Sequence, residues 1–379
     1  MPSNEDDGYA EYLRQRKFAS LDGVRCIAIL FVLWHHSGIS SQTSLAGLSD
    51  RGFLGVDLFF VLSGFLIVTL LLREKARNGE IALGKFYMRR TLRIFPPYYG
   101  LLAALIVVYL FNPKLNTAAG FFGSLPYYLT YTSNWSLLQA ANLAIIWSLA
   151  TEEQFYVVWP AVEKFLRPWC IVTALVAVIA LNQLINFGLL DAVFARLYHT
   201  QGRPNLPILE CTFTPIALGV VVAHVLGNPA GFAVTWRWLG GRYSPIALAL
   251  AIALLLICLP RDLSGWPRLT IHVALALWIS SLVVRENHCL NSFLSAAPIA
   301  LIGTISYGMY LYHMWVFHFV NVGCRRMLVE SPLFQFLLQV AATIAVATVS
   351  YCCFERFFLR RKYKYAAESS KAPSEIGTN

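Results

Sequence analysis

Ten apolar runs recur along this 379-residue chain, at 21–38, 56–72, 97–112, 143–163, 169–189, 207–226, 243–260, 269–285, 298–320 and 333–358. A bilayer core takes about 20 helical residues to cross, and every run is close to that length. Backbone polar groups cannot be left open in hydrocarbon, and no alternating ten-residue pattern recurs, so the runs are helices and not barrel strands. The expected fold class is an all-α integral membrane protein of about ten transmembrane helices. Composition agrees, with 57% hydrophobic and 13% charged residues, against roughly 25% charged in soluble domains. That balance excludes a soluble, disordered, collagen-like or secreted disulfide-scaffold chain.

The net charge of +10 matters through where it lies. With the N-terminus inside, 21 of the 30 Lys and Arg fall on inner segments and 8 on outer ones, which places both termini in the cytoplasm. Nucleic acid is therefore not expected as a partner. The first 20 residues are polar and mixed in charge, lack the regions of a cleaved signal, and read as a cytoplasmic tail, 1–20. Residues 21–360 form the membrane domain and 361–379 a basic, disordered cytoplasmic tail. The eight cysteines (Cys26, Cys170, Cys211, Cys258, Cys289, Cys324, Cys352, Cys353) lie mostly inside apolar runs without metal-ligand spacing. They read as buried thiols, and no metal is expected.

In so apolar a chain, charges inside the runs need partners or a cavity. Eleven helical residues return to within about 20°, so Arg25 and His36 share a face about 16 Å apart. Asp22 lies on the same stripe and His35 about a quarter turn away. Two readings stand: Asp22 and Arg25 anchor the inner interface while the histidines bond the outer one, or the face lines a polar cavity. Glu152 aligns with Ser148, Phe155, Tyr156 and Trp159 and is the inward candidate. Glu153 aligns with Leu149 and Val157 and is placed at the loop before the helix, where the N-terminal dipole favours a carboxylate.

The stretch 73–96 is the main basic cluster. Arg89 and Arg93, one turn apart, are suited to grip a phosphate, or with Arg90 to anchor the chain on membrane lipid headgroups. Gly79 to Lys85 spells G-x-x-x-x-G-K, but Phe86 follows and no strand precedes, so it is not a P-loop. Asp57 opens an apolar run, where helix-dipole stabilisation suffices, and Ser63-Gly64 permits close helix approach. His313 reads as a packed, bonded histidine. G-x-S-x-G, H-E-x-x-H and H-x-x-x-x-D patterns are absent, and His313 and His318 are poorly spaced for zinc.

Read in order, five blocks resemble the acyltransferase-3 family of integral-membrane O-acyltransferases. They are Leu21-Asp22-Gly23-x-Arg25 with His36; Gly55-Val56-Asp57-Leu58-Phe59-Phe60-x-Leu62-Ser63-Gly64-Phe65; Arg89-Arg90-x-x-Arg93-Ile94-x-Pro96; Trp147-Ser148-Leu149 with Glu152-x-Gln154-Phe155-Tyr156; and Ser306-Tyr307-Gly308-x-Tyr310-Leu311 with His313. The resemblance spans about residues 18–360. It implies transfer of an acyl group, usually acetyl, from cytoplasmic acyl-CoA to a hydroxyl of a carbohydrate acceptor, lipid-linked or polymeric, in a bacterial inner membrane. It also implies Arg25, His36 and Glu152 as functional residues and Arg89, Arg90 and Arg93 as the basic motif. Some relatives carry a further SGNH hydrolase-like domain. This sequence shows none, so direct transfer, or completion by a separate periplasmic transferase or polysaccharide-export partner, is expected.

On that basis His36 serves as general base or acyl carrier, because imidazole titrates near neutral pH. Glu152 orients it, Arg25 offsets developing negative charge or binds acetyl-CoA phosphate, and Arg89, Arg90 and Arg93 hold the phosphorylated end. The competing class is a transporter or lipid-linked glycan flippase in which Arg, His and Glu form a proton relay. A structural or sensory membrane protein leaves the matched polar face unexplained.

Overall fold

The structure is a computed structural model that describes residues 5–15, 17–38, 50–112, 117–138, 140–210, 213–260 and 263–362. Of the tail expected to be disordered, 361–379, Arg361 and Lys362 close the last helix and 363–379 lie outside the described residues, as do 39–49. In chain order the helices are α1 (Glu5–Arg14), α2 (Ala19–His36), α3 (Leu54–Asn78), α4 (Leu83–Phe111), α5 (Ala118–Leu129) and α6 (Ile146–Phe165). They continue as α7 (Pro168–Asn186), α8 (Asp191–Leu197), α9 (Phe213–Gly227), α10 (Pro229–Leu239) and α11 (Ser244–Cys258). The last are α12 (Trp266–Val284), α13 (Asn291–Leu294), α14 (Ala297–Arg326), α15 (Pro332–Ser350) and α16 (Arg356–Lys362). No strand occurs among the described residues.

Each of the ten apolar runs is mainly helix, and the chain is a multi-pass integral membrane protein. Five segments are individually long and apolar enough to cross a bilayer: α3, α4, α7, α12 and Pro332–Arg361. The number rises to 7 if the bent pairs α1–α2 and α9–α10 each count as one span. Two helices fall short because of what they carry. α6 holds Glu152, Glu153, Glu163 and Lys164, and α14 is rich in Gly, Tyr and His. Polarity is concentrated where the site lies.

Several boundaries differ from expectation. α4 starts at Leu83, well before the run at 97, and continues through Pro96 and Pro97, so the basic stretch and the apolar run are one helix. The expected tail contains α1, whose Tyr12 is buried against Phe18 and Phe232 with the Arg73 guanidinium over its ring. Between α4 and α6 the chain forms α5 and then a 3₁₀ turn, Ser133–Trp135, which packs on α6 with Ser133 and Asn134 buried. Asn134 and Gln154 exchange side-chain amide hydrogen bonds at 2.9 and 3.1 Å, pinning that turn two residues from Glu152.

Backbones approach closely where side chains vanish. A Cβ on Gly64 of α3 would collide with the Ile216 carbonyl of α9, and one on Gly219 with the Val61 carbonyl. This is the close approach read from Ser63-Gly64. Gly55 lets α3 meet the Ala28 carbonyl, and Gly303 lets α14 meet the Asp22 carbonyl. α2 is thereby held between α3 and α14.

Candidate active site

That clamping turns the Arg25 stripe of α2 toward a cavity of about 220 Å³ bounded by α2, α3, α4, α6 and α14. Arg25, Arg90, Arg93, Glu152 and Glu153 all line it. Ser63 donates to Glu152 Oε1 at 2.7 Å, and the Tyr156 hydroxyl donates to Ser63 Oγ at 3.0 Å. The Arg90 guanidinium lies 5.4 Å from the Tyr156 ring centroid, a cation–π contact. On the opposite side Tyr310 Oη sits 2.6 Å from Ser148 Oγ, and both reach the Ile145 carbonyl.

Arg25 is paired with Asp22 at 2.9 Å, and Asp22 also holds Lys17 at 2.7 Å. Asp22 thus tethers Arg25, the one residue of the stripe that lines the cavity. The basic motif divides differently from expectation. Arg89 turns to Glu74 of α3 at 3.1 Å, so the pair lining the cavity is Arg90 and Arg93. Neighbouring helical residues point about 100° apart, which is why Arg89 and Arg90 cannot share one face. Among the described residues, neither Arg90 nor Arg93 has a carboxylate within ion-pair distance.

His36 stands three turns beyond Arg25, outside the cavity lining. Its ring is 5.0 Å from that of His313, centroid to centroid, and 4.9 Å from that of His35. His36 Nδ1 lies 2.9 Å from the Val32 carbonyl and His313 Nδ1 lies 2.7 Å from the Tyr310 carbonyl. A carbonyl only accepts, so both rings carry their hydrogen on Nδ1 and leave Nε2 with its lone pair. Tyr310 separates the two groups, its ring 5.7 Å from His313 and its hydroxyl at the cavity wall. Glu152 bonds Ser63, and among the described residues it makes no bond to His36.

Two expectations are corrected. Glu153 is not in a loop before the helix. It lies two turns into α6, buried, with Oε1 lacking a hydrogen-bond partner among the described residues. Asp57 is held by more than a helix dipole: Arg268 approaches at 3.3 Å and His272 Nε2 at 3.0 Å, all three buried. His272 donates from Nε2 here, and Arg268 also lies over the Phe53 ring at 4.9 Å, the ring that meets His35 at 6.0 Å. Sequence reasoning missed Arg268 and His272. Their i, i+4 spacing at the start of an apolar run was the available signal.

The acyltransferase-3 family, described as an acyltransferase domain, matches residues 18–353. The chain belongs to this family. Among curated relatives, the peptidoglycan O-acetyltransferase OatA of Listeria monocytogenes is 28% identical, over 89% of this chain and 55% of its own length. The O-acetyltransferase OatA of Staphylococcus aureus (strain MRSA252) is 29% identical, over 95% of this chain and 60% of its own. The chain therefore spans little more than half the length of those relatives. No solved structure matches.

Proposed function

We propose that this protein is a membrane O-acyltransferase that moves an acetyl group from acetyl-CoA to a hydroxyl of a cell-envelope carbohydrate. The observation that carries this reading is the cavity in which Arg25, Arg90 and Arg93 face Glu152 and Glu153, three guanidinium groups against two carboxylates, with no carboxylate within ion-pair distance of Arg90 or Arg93 among the described residues. Unpaired guanidinium groups among membrane helices call for an anion, and Arg matches phosphate oxygens in a bidentate manner. The donor set therefore fits the phosphorylated end of a CoA thioester. The relatives named as O-acetyltransferases support the same chemistry.

Bound there, acetyl-CoA supplies an activated acetyl thioester. Arg90 and Arg93 hold phosphate, and Arg25, tethered by Asp22, adds positive charge deeper along the same face. Glu152, fixed by Ser63, limits the net charge of the cavity and keeps the arginine side chains turned inward. The rise from Arg25 to His36, about 16 Å, is comparable to the reach of a pantetheine arm. His36 Nε2 takes the acceptor's hydroxyl proton while the oxygen bonds the acetyl carbon, then returns that proton to the departing thiolate sulfur. We further propose ten spans, both termini in the cytoplasm, and residence in a bacterial inner membrane, which puts the arginines on the side where CoA thioesters occur.

Purified full-length protein in proteoliposomes, given acetyl-CoA and a peptidoglycan or polysaccharide acceptor, should release CoA thiol only with both present. Saturable acetyl-CoA binding that weakens in Arg90→Ala is expected alongside. A protein that neither binds nor turns over acetyl-CoA, yet moves protons or glycan across the bilayer, would show the transporter reading to be correct.

A further inference from the structure

Most hydroxyl groups that line the cavity have their one hydrogen committed. Ser63 gives it to Glu152, Tyr156 to Ser63, Tyr307 to the Ile94 carbonyl and Ser306 to the Gly303 carbonyl. Ser148 and Tyr310 differ. Their oxygens lie 2.6 Å apart, and the Ile145 carbonyl oxygen lies 3.1 Å from the first and 2.9 Å from the second. Three contacts are thus served by two hydroxyl hydrogens. The carbonyl does not need both. Ile145 is the N-cap of α6, a position whose carbonyl accepts from helix backbone, and the Ser148 backbone N–H reaches it at 3.4 Å. One hydroxyl hydrogen can therefore turn to a ligand without leaving a buried carbonyl open, which the other hydroxyls of the lining cannot do.

We propose that Tyr310 is a further catalytic residue, whose hydroxyl donates to the carbonyl oxygen of the acetyl thioester and to the oxyanion it becomes, with Ser148 as the positioning residue behind it. The inference rests on the acetyltransfer reading for the identity of the ligand. Both side chains are buried, both line the cavity, and they stand on different helices, α6 and α14. Tyr310 also borders the far group, its ring 5.7 Å from that of His313, which is 5.0 Å from that of His36. A thioester reaching from the arginines toward His36 passes this tyrosine. With the ligand bound, Ser148 donates to Tyr310 Oη, which keeps the shortest contact filled, and Tyr310 turns its hydrogen from the Ile145 carbonyl to the thioester oxygen. Hydrogen bonds in a chain polarise one another, so a tyrosine that accepts from Ser148 is a stronger donor. When the acceptor's oxygen bonds the acetyl carbon, the carbonyl π pair moves onto oxygen, and Tyr310 stabilises that charge while keeping its own proton. The pair then re-forms the carbonyl as the C–S bond breaks, its electrons leaving on sulfur.

Difference infrared spectra of the full-length protein in lipid nanodiscs, with acetyl-CoA carrying ¹³C at the thioester carbonyl, read this bond directly. The stretching frequency of the bound carbonyl should lie lower in the wild-type protein than in Tyr310→Phe, with Ser148→Ala between them. 3-Fluorotyrosine in place of Tyr310 has nearly the same shape and a more acidic hydroxyl, and should lower the frequency further. In the turnover assay, Tyr310→Phe should reduce kcat by about 100-fold or more with Kd for acetyl-CoA nearly unchanged, and Ser148→Ala should reduce it less. A packing role alone would change kcat without moving the carbonyl frequency. Acetyl-CoA bound with the same carbonyl frequency in wild-type, Tyr310→Phe and fluorotyrosine proteins, or Tyr310→Phe turning over at the wild-type rate, overturns the assignment and leaves the acetyltransfer reading standing. Wild-type protein that does not bind acetyl-CoA refutes that reading and this inference with it.

Discussion

Ser63 donates its hydroxyl hydrogen to Glu152 at 2.7 Å, joining α3 to α6 across the cavity. The pair fixes which way one carboxylate of the adjacent Glu152 and Glu153 points. Glu152→Gln, nearly isosteric, removes the charge and should lower kcat/KM by about 10- to 100-fold, since hydrogen bonds to charged groups are worth about 1.5–3 kcal/mol. Ser63→Ala should act in the same direction and more weakly. Steady-state thiol release by both variants checks this, and equal rates in wild type and Glu152→Gln would remove Glu152 from the site.

The division of the basic motif predicts unequal effects. Arg90→Ala should raise KM for acetyl-CoA by about tenfold or more, the cost of one charged phosphate contact. Arg89→Ala loses the Glu74 ion pair instead, and should alter KM less than Arg90→Ala. Isothermal titration with acetyl-CoA separates the two.

Two glycines on α14 offer a packing test. Gly303→Ala would place a methyl against the Asp22 carbonyl and should destabilise by about 1–3 kcal/mol through overpacking. Gly323→Ala meets open space on the same helix and should be neutral or slightly stabilising. Thermal unfolding in detergent distinguishes them.

Much of this was legible in the residues and some of it could not be. The ten runs follow from apolar length alone and appear as helices, whereas of the stripe read from helical periodicity only Arg25 lines the cavity. The choice of Arg90 over Arg89 depends on Glu74 in another helix. Asp57 finds Arg268 at a sequence separation of 211, and His36 meets His313 through a packing of α2 on α14 that no local pattern encodes. Glu153 was misplaced because a carboxylate near an apparent helix start is ordinarily explained by the dipole, whereas the Ser133–Trp135 turn folds in to bury this part of α6.

His288, in the connection between α12 and α13, is buried with neither ring nitrogen bonded among the described residues, and burial pushes its pKa down to about 4. The unfolded chain takes up its proton near pH 6.5, so the folded state binds fewer protons between those values. Stability should fall as pH drops from about 6.5 toward 4. His288→Leu should flatten that slope in unfolding curves recorded across the range.

The buried Asp57–Arg268 pair should be costly to break from one side. Arg268→Met leaves the Asp57 carboxylate with only His272 and should cost about 3–5 kcal/mol, while Asp57→Asn combined with Arg268→Met should recover part of that loss. A double variant no more stable than Arg268→Met alone would mean that the charges are not coupled.

In the proposed mechanism His36 carries the chemistry while the arginines hold the donor. Turnover by folded His36→Ala, with acetyl-CoA and a carbohydrate acceptor, tests it most directly. A fall in kcat of about 100-fold or more is expected, with acetyl-CoA binding retained and His35→Ala much less affected. Turnover of His36→Ala near the wild-type rate would contradict it.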